Sequence, residues 1–550
     1  MNGVGSGLKI VIVGGVAGGA SAAARARRCN SNAEITILEK GPAVSFANCG
    51  LPYHVGGEIF DRDKLLVATP QLFWERFRVS VRTEHEVIAI DRDQQVVSGK
   101  TSAGDSFSLP YDKLILATGS EPLRPPFCQI QAENVFQLWT LADMDRILAY
   151  MKKRPCKKGT VVGGGYVGLE VVEQLARRGL DVTLVERLPQ VMPPLDLEMA
   201  RLVEMELRVQ GVRVELSADV QNLLCSNQRV TAVKLADGGS ITTDLVIAAV
   251  GVKPRTELAL SAGLEIGTAG GVRINEYCQT NDANIYAVGD IVEYKHGTLD
   301  RAMRVPLAGP ANRSGRVAGA HAACGQTSPL SAVQGTSIVR VFDVTAGTAG
   351  LGLKACDAAG MAARTAIIQA PHHASYFPGA RNMTVKLLYR PESGQVLGVQ
   401  IVGAEGVDKR LDVVSTLLHF RGTVHDLAGL DLAYAPPYSS AKDPLHMAAF
   451  VAQNDLMEKP SLIPSDAQLD DCQVVDVRTS SEIEQLPLEG AIHMPIDEIT
   501  ERWQELDANR PTVAVCHSGK RAHVAACWLK GKGFKSVVNL NGGMSIRQLK

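Results

Sequence analysis

The chain spells the same short grammar twice, and this repeat constrains its fold more than any other feature. The first copy runs from an apolar strand, Leu8–Ile12, into Gly14-Gly15-Val16-Ala17-Gly18-Gly19. An Ala/Arg-rich helix to Arg28 follows, then a strand, Glu34–Glu39, that ends on an acid. The second runs from Thr160-Val161-Val162 into Gly163-Gly164-Gly165-Tyr166-Val167-Gly168, through a helix to Arg178, into the strand Asp181–Val185 and Glu186. Strand, glycine turn, helix, strand and acid make one dinucleotide-binding unit. The glycines permit a tight turn, close approach to a pyrophosphate and close helix–strand packing, while the helix N-terminus faces the anion. Two such units predict two dinucleotides bound side by side.

The second copy is the more regular, with Gly163, Gly165 and Gly168 all in place. In the first, Val16 occupies the middle glycine position, so the reading leans on context. That context is Glu39 and, far downstream, Ile285–Asp290 (IYAVGD), a buried strand whose acid emerges where α/β sheets hold ligands. A glycine cluster alone is often no more than a tight turn. Glu186 is placed to accept hydrogen bonds from a ribose diol and to repel a 2′-phosphate, which favours NADH; the adjacent Arg187 tempers this and leaves NADPH open. Tyr111–Gly119 (YDKLILATG) and Asp244–Gly251 (DLVIAAVG) read as the strands that close the first and second nucleotide domains.

A chain of 550 residues exceeds what one core supports. The expected layout is a first nucleotide domain over 8–122 and 253–334, a second over 123–252, and strands with amphipathic helices over 335–457. A polar linker with two prolines at 458–465 then leads to an α/β unit at 466–550. The net charge of −1 provides no field for nucleic acid or an anionic membrane, so an anionic ligand needs local cations. No run approaches the ~18 apolar residues of a membrane helix, and Leu8–Val13 is too short for a signal segment, so a cytoplasmic protein is expected. The eleven cysteines are odd in number and include no Cys-x-x-Cys, which predicts free thiols and no ordinary redox dithiol motif. His372-His373 lacks a third ligand at a recognisable spacing, so no metal site is expected.

Two thiols have chemistry written around them. Cys49 lies in Ser45-Phe46-Ala47-Asn48-Cys49-Gly50-Leu51-Pro52-Tyr53, directly after the first unit, and Pro52 suits the first turn of a helix. A thiol at a helix start is expected to have a lowered pKa, although burial as a packing residue is the commoner fate of a free cysteine. Cys516-His517-Ser518-Gly519-Lys520-Arg521 follows a β-rich run, TVAVC, and precedes a helix. Its successive N–H groups can cradle an anionic persulfide, with Lys520 and Arg521 adding positive charge. Four residues separate Cys516 from Arg521, against five in a tyrosine phosphatase loop, which makes a smaller cradle suited to sulfur.

The run SFANCGLPY, with GGVAGGASAAARARR before it and GGGYVGLE after it, closely resembles the single-cysteine branch of the pyridine nucleotide disulfide oxidoreductases, in particular the members that reduce coenzyme A disulfide. The resemblance covers nearly all of 8–456, including LAGPANR at 307–313 and YAPPYSSAKD at 434–443. The tail loop, with Asp476-Val477-Arg478 and GAIHMP at 490–495, resembles the rhodaneses. The implied fold class is α/β: two Rossmann-like dinucleotide-binding domains, an α+β dimerisation domain and a C-terminal α/β rhodanese domain. The implied cofactors are FAD and NADH, held by Gly14, Gly15, Ala17, Gly19, Glu39, Lys40, Thr118, Gly119, Gly163, Gly165, Gly168, Glu186, Gly251, Asp290, Pro306, Ala308 and Asn312.

By the same resemblance, NADH reduces FAD, and two electrons pass to a disulfide centred on Cys49, in which coenzyme A replaces a second protein cysteine. Arg28, Ser45 and Asn48 are then expected to contact coenzyme A. Tyr376, with Tyr434 or Tyr438, is expected to come from the partner subunit of a homodimer and to protonate or stabilise the leaving thiolate. Phe377 stands where a second tyrosine beside Tyr376 is expected, which leaves that register open. Coenzyme A disulfide, coenzyme A persulfide or polysulfide, and oxygen compete as acceptors. The fused tail favours persulfide, because tethering raises effective concentration only for a shared substrate. An NADH oxidase or peroxidase, and a redox or sulfur sensor, are the alternatives.

Overall fold

Lys9–Val13 (KIVIV) is apolar on both faces, as the centre of a parallel sheet requires. In the computed structural model, which describes residues 7–549, the sheet order is Ile285–Ala287, Lys113–Leu116, Lys9–Val13, Glu34–Leu38 and Val79–Arg82. All four pairings are parallel, so the IYAVGD strand returns from far downstream to complete the first nucleotide sheet. Helix α1 (Ala17–Cys29) leaves the glycine turn, and helix α2 (Leu51–Gly56) follows the Cys49 segment. A second parallel sheet has the neighbours Asp181–Val185, Lys158–Val162, Leu245–Ala248 and Val135–Phe136 in that order, with helix α3 (Tyr166–Arg177) after its glycine turn. Helix α4 (Ala308–Cys324) packs on α1.

The glycines show why both turns are written this way. Gly14 has φ +97°, and a Cβ there would lie 2.3 Å from Ala117 O; at Gly19 it would lie 1.9 Å from Gly14 O. The second turn repeats this, with Gly163 at φ +111° and 2.3 Å from Ala249 O, and Gly168 at 1.9 Å from Gly163 O. Only glycine fits at either pair.

The chain divides into two units, one comprising residues up to 187 with 218–335, the other 188–217 with 336 onward. The second unit contains an antiparallel sheet ordered Ser337–Val341, Val344–Gly350, Val396–Gly403, Asn382–Tyr389 and Arg364–Pro371. The buried Lys386 pairs with Asp196 and Glu198, which ties the 188–217 segment to this sheet. It also contains a parallel sheet ordered Ser461–Ile463, Val537–Leu540, Thr512–Val515, Gln473–Asp476 and Ile492–His493. Helix α5 (Lys520–Gly531) follows the Cys516 turn.

The expected linker at 458–465 is not a free tether. Ser461–Ile463 is a strand of the C-terminal sheet, paired in parallel with Val537–Leu540. The C-terminal unit is also bonded to the antiparallel sheet. Ile367 N–H donates to Asn541 Oδ1 at 2.8 Å, Asn541 Nδ2 donates to Thr365 O at 2.9 Å, and Gln369 Nε2 donates to Ser545 Oγ at 3.0 Å. Its polar composition suggested a linker, but the short Ser-Leu-Ile run is enough to add an edge strand. Among the described residues no helix is long and apolar enough to cross a membrane.

Candidate active sites

Cys49 sits in a short turn, Asn48–Gly50, that leads into α2. The segment before it is pinned: Ser45, at φ +51°, donates its N–H to Gly15 O at 2.9 Å and accepts from Val67 N–H at 2.9 Å. Asn48 Nδ2 donates to Trp139 O at 2.6 Å, so this amide is engaged within the chain. Three bonds hold α2 and the two residues after it to α3, the helix that leaves the second glycine turn, and to Arg178 at its end. Tyr53 Oη donates to Glu170 Oε1 at 3.0 Å, Gln174 Nε2 donates to Glu58 Oε1 at 2.9 Å, and the Arg178 guanidinium donates to Val55 O. The sequence reading missed Tyr53 and Glu170 as members of this site, although both lie inside the runs SFANCGLPY and GGGYVGLE.

Cys49 reaches solvent, but its thiol pKa is raised, not lowered as expected from a helix start. Burial within the walled turn is the main cause, and the Glu170 and Asp290 carboxylates add to it. The six residues of α2 offer a weak dipole against two facing anions. Asp290 lies in the turn after Ile285–Ala287. Burial pushes its carboxyl up, opposed by a hydrogen bond from Ser120 Oγ at 2.8 Å.

The acids that end each unit's second strand are arranged alike. Glu39 Oε2 accepts Gly15 N–H at 2.7 Å, and Glu186 Oε2 accepts Gly164 N–H at 2.6 Å. Gly165 faces open space, since an added Cβ would meet nothing within 4 Å; the same holds at Gly119, whose φ is +67°. Thr118 Oγ1 donates to Arg255 O at 3.1 Å, and Gly251 O accepts Leu123 N–H at 2.9 Å. Ala17 opens α1 and Gly18 and Gly19 follow in its first turn. Pro306, Ala308 and Asn312 are exposed around the start of α4, where Ser21 Oγ donates to Asn312 Oδ1 at 2.5 Å. Lys40 is spent on a surface pair with Glu86 at 2.6 Å. The exposed Arg28 lays its guanidinium over the Phe77 ring, 5.3 Å from its centre.

In the second unit, Tyr376 and Tyr434 are joined through their hydroxyls at 3.0 Å, and with Tyr438 they are exposed. That bond raises the Tyr376 phenol. A cavity of about 480 Å³ beside them is lined by His372, Glu405, Lys409, Tyr434 and Tyr438. The buried Arg410 organises this region. It reaches both carboxylate oxygens of Asp443, at 3.1 and 2.7 Å, and also His372 O, Gly406 O and Ser439 Oγ.

Cys516 is buried at the end of Thr512–Val515, and Gly519, at φ +85°, caps α5. The N–H groups of His517, Ser518 and Gly519 have no acceptor among the described residues, which leaves a ring of donors free for an anion. The carbonyls of Cys516 and His517 accept Met544 N–H at 2.9 Å and Ser545 N–H at 3.0 Å, which pins the loop to the chain end. His517 and Lys520 are exposed. The positive charge of Arg521 beside Cys516 is shared with a carboxylate. It makes a two-pronged pair with Glu482 at 2.8 and 2.6 Å, which holds that carboxyl down at about 2, with Cys516 a lesser partner of the guanidinium. Asp476 and Arg478 form a buried pair at 2.6 Å that braces the neighbouring strand.

Comparison with known proteins agrees with this geometry. Residues 8–326 match the family described as pyridine nucleotide-disulphide oxidoreductase, 336–445 match its dimerisation domain, and 465–546 match the rhodanese-like domain. A coenzyme A disulfide reductase of Staphylococcus haemolyticus is 34% identical over 81% of this chain and 99% of its own. An NADH oxidase of Methanocaldococcus jannaschii is 34% identical over 82% of this chain and 100% of its own. Among solved structures, reduced CoADR-RHD of Bacillus anthracis superposes with a TM-score of 0.95 at 38% identity, covering 99% of this chain and 98% of that one. A NAD-dependent persulfide reductase from A. fulgidus superposes at 0.92 and 37% identity, covering 98% and 100%. The chain therefore belongs to the pyridine nucleotide-disulphide oxidoreductase family, as a flavin-dependent enzyme with a dimerisation domain and a C-terminal rhodanese-like domain.

Proposed function

We propose that the protein is an FAD-dependent NADH:coenzyme A persulfide or polysulfide reductase, also active on coenzyme A disulfide, whose C-terminal domain transfers sulfur through Cys516. The observation that carries this reading is the placement of Cys49, a solvent-reaching thiol in the turn that leads into a helix bonded to the helix of the second glycine turn. The residues fit two dinucleotides. Gly165 leaves open space for a pyrophosphate, and Glu39 and Glu186 stand at the strand ends where ribose diols are bound. The half-buried carboxyl of Asp290 has one bond from Ser120 and is suited to a further donor such as a ribityl hydroxyl. Glu186 favours NADH over NADPH.

Bound flavin supplies a two-electron relay from nicotinamide to sulfur. Cys49 thiolate attacks the coenzyme A sulfur of CoA–S–SH and releases hydrosulfide, leaving a Cys49–S–S–CoA mixed disulfide. Two electrons then cleave that disulfide to coenzyme A thiolate and Cys49 thiolate, so each NADH yields one coenzyme A and one hydrogen sulfide. Burial, with the facing Glu170 and Asp290 carboxylates, raises the thiol pKa, so the Cys49 proton must leave before the thiolate attacks. Tyr376 and Tyr434 of the partner subunit donate hydrogen bonds to the leaving thiolate, which accounts for their exposure here and makes the active enzyme a homodimer. Ser45, Asn48 and Arg28 line the approach for coenzyme A.

The test is NADH consumption under anaerobic conditions with coenzyme A persulfide. One coenzyme A and one hydrogen sulfide per NADH are expected. Rapid consumption only when oxygen is admitted, with persulfide and disulfide inert, would assign the protein as an oxidase.

A further inference from the structure

Helices α1 and α4 approach as closely as their backbones allow. A Cβ on Gly315 would lie 2.2 Å from Gly18 O, and one on Gly319 would lie 2.3 Å from Ala22 O. The contact therefore advances in register by four residues on each helix, which makes the two helices parallel and brings their last turns to one level. Those last turns end in Cys29 and Cys324. Asn30 Nδ2 bridges the ends, donating to Ala323 O at 3.2 Å. The Cys29 and Cys324 thiols are electrostatic neighbours at these ends, with the Arg25 and Arg316 guanidiniums nearby. Cys324 is exposed and Cys29 half-buried. Neither belongs to any motif in the sequence.

From this packing we infer that Cys29 and Cys324 form a reversible redox dithiol, a modification site separate from Cys49 and Cys516, that low-molecular-weight disulfides oxidise to an intramolecular disulfide. The exposed Cys324 thiolate attacks an external disulfide R–S–S–R, releases one RS⁻ and carries the other half as a mixed disulfide. Cys29 then loses its proton to solvent and attacks the Cys324 sulfur, expelling the second RS⁻. Two protein thiols are oxidised, and one disulfide is reduced to two thiols. The fixed helix contact holds Cys29 at high effective concentration for the second step. The bond would clip the C-terminal ends of two helices whose N-terminal ends carry the glycine turn and the 307–313 run. It also closes a long loop, which restrains the unfolded chain. The dithiol itself does not depend on which acceptor the enzyme reduces.

The experiment incubates the FAD-loaded protein with glutathione disulfide in the absence of NADH, then alkylates it and digests it without reductant for mass spectrometry. Wild type is expected to give a peptide pair joined through Cys29 and Cys324, lose two titratable thiols at that pair, and recover both with dithiothreitol. The oxidised protein should also melt a few degrees higher. In Cys29→Ser, or Cys29→Ala as a second variant, Cys324 should instead persist as the glutathione mixed disulfide. Flavin absorbance confirms that the variants fold. Equal glutathione loading of Cys324 in wild type and both variants, with no joined peptide, would overturn the inference.

Discussion

Replacing Arg410 with Met removes the cation that fastens the tyrosine region together. Arg410 and Asp443 are both buried, and the guanidinium also satisfies His372 O at 2.8 Å and Gly406 O at 2.9 Å. Burial alone would push the Asp443 carboxyl up, yet the hydrogen bonds and charge of Arg410, with Ser439 and Leu445 N–H, hold it below its ordinary value. Breaking a buried pair on one side costs about 3–5 kcal/mol. Asp443 keeps Ser439 Oγ at 2.6 Å and Leu445 N–H at 2.9 Å, which argues for the lower end. The two abandoned carbonyls add about 1 kcal/mol. A loss of about 4 kcal/mol follows, or roughly 10 °C in Tm for a unit of this size. Wild type keeps this carboxyl's stabilisation above the unfolded pKa and loses it as pH falls through the lower folded value. In Arg410→Met the folded pKa lies above the unfolded one, so the penalty is full near neutrality and fades in acid. Denaturant titrations of both proteins at several pH values test this, and Arg410→Met with Asp443→Leu should recover at least half of the loss. A deficit under 1 kcal/mol that does not change with pH would refute the reasoning.

Three further outcomes follow from the sites. Cys516→Ala should abolish sulfur transfer from thiosulfate while sparing reduction of diffusing coenzyme A persulfide; equal loss of both would place Cys516 in the main reductive cycle. Glu170→Gln should lower the Cys49 thiol pKa by removing a facing anion, so that alkylation of Cys49 by iodoacetamide at pH 7 speeds up several-fold; an unchanged rate would contradict the cause given for the raised thiol. Glu482→Gln should release Arg521 towards Cys516 and move the pH profile of sulfur transfer to the acid side, whereas an alkaline shift would show that the pair acts otherwise. The same variant should lose about 1 kcal/mol of stability, because the pair is partly exposed.

Both nucleotide units were legible in the sequence because backbone sterics write them. Gly14, Gly19, Gly163 and Gly168 each sit where a Cβ would strike a carbonyl, so the spacing is a direct record of the turn. The strand before Asp290 and the turn after Cys516 were legible for a similar reason, as buried apolar runs ending at a sheet edge. What depends on distant partners was not. The pairing of Arg521 with Glu482, the closeness of Tyr53 and Glu170 to Cys49, and the meeting of Cys29 with Cys324 arise only from tertiary packing. The Cys49 thiol is raised, against the expectation from a helix start, because tertiary packing buries it and sets two anions across the site. Ser461–Ile463 was read as linker because three residues carry too little periodicity to announce a strand.

The most direct test of the central proposal is Cys49→Ser, followed by stopped-flow flavin reduction and by steady-state turnover with coenzyme A persulfide and disulfide. Cys49 lies in the turn before α2, outside the glycine turns proposed to hold the dinucleotides, so the serine variant should retain FAD and accept hydride from NADH at the wild-type rate. Turnover of both sulfur substrates should fall to background. Full turnover in the variant would contradict the account, since the electrons would then reach sulfur by a route that does not use this thiol.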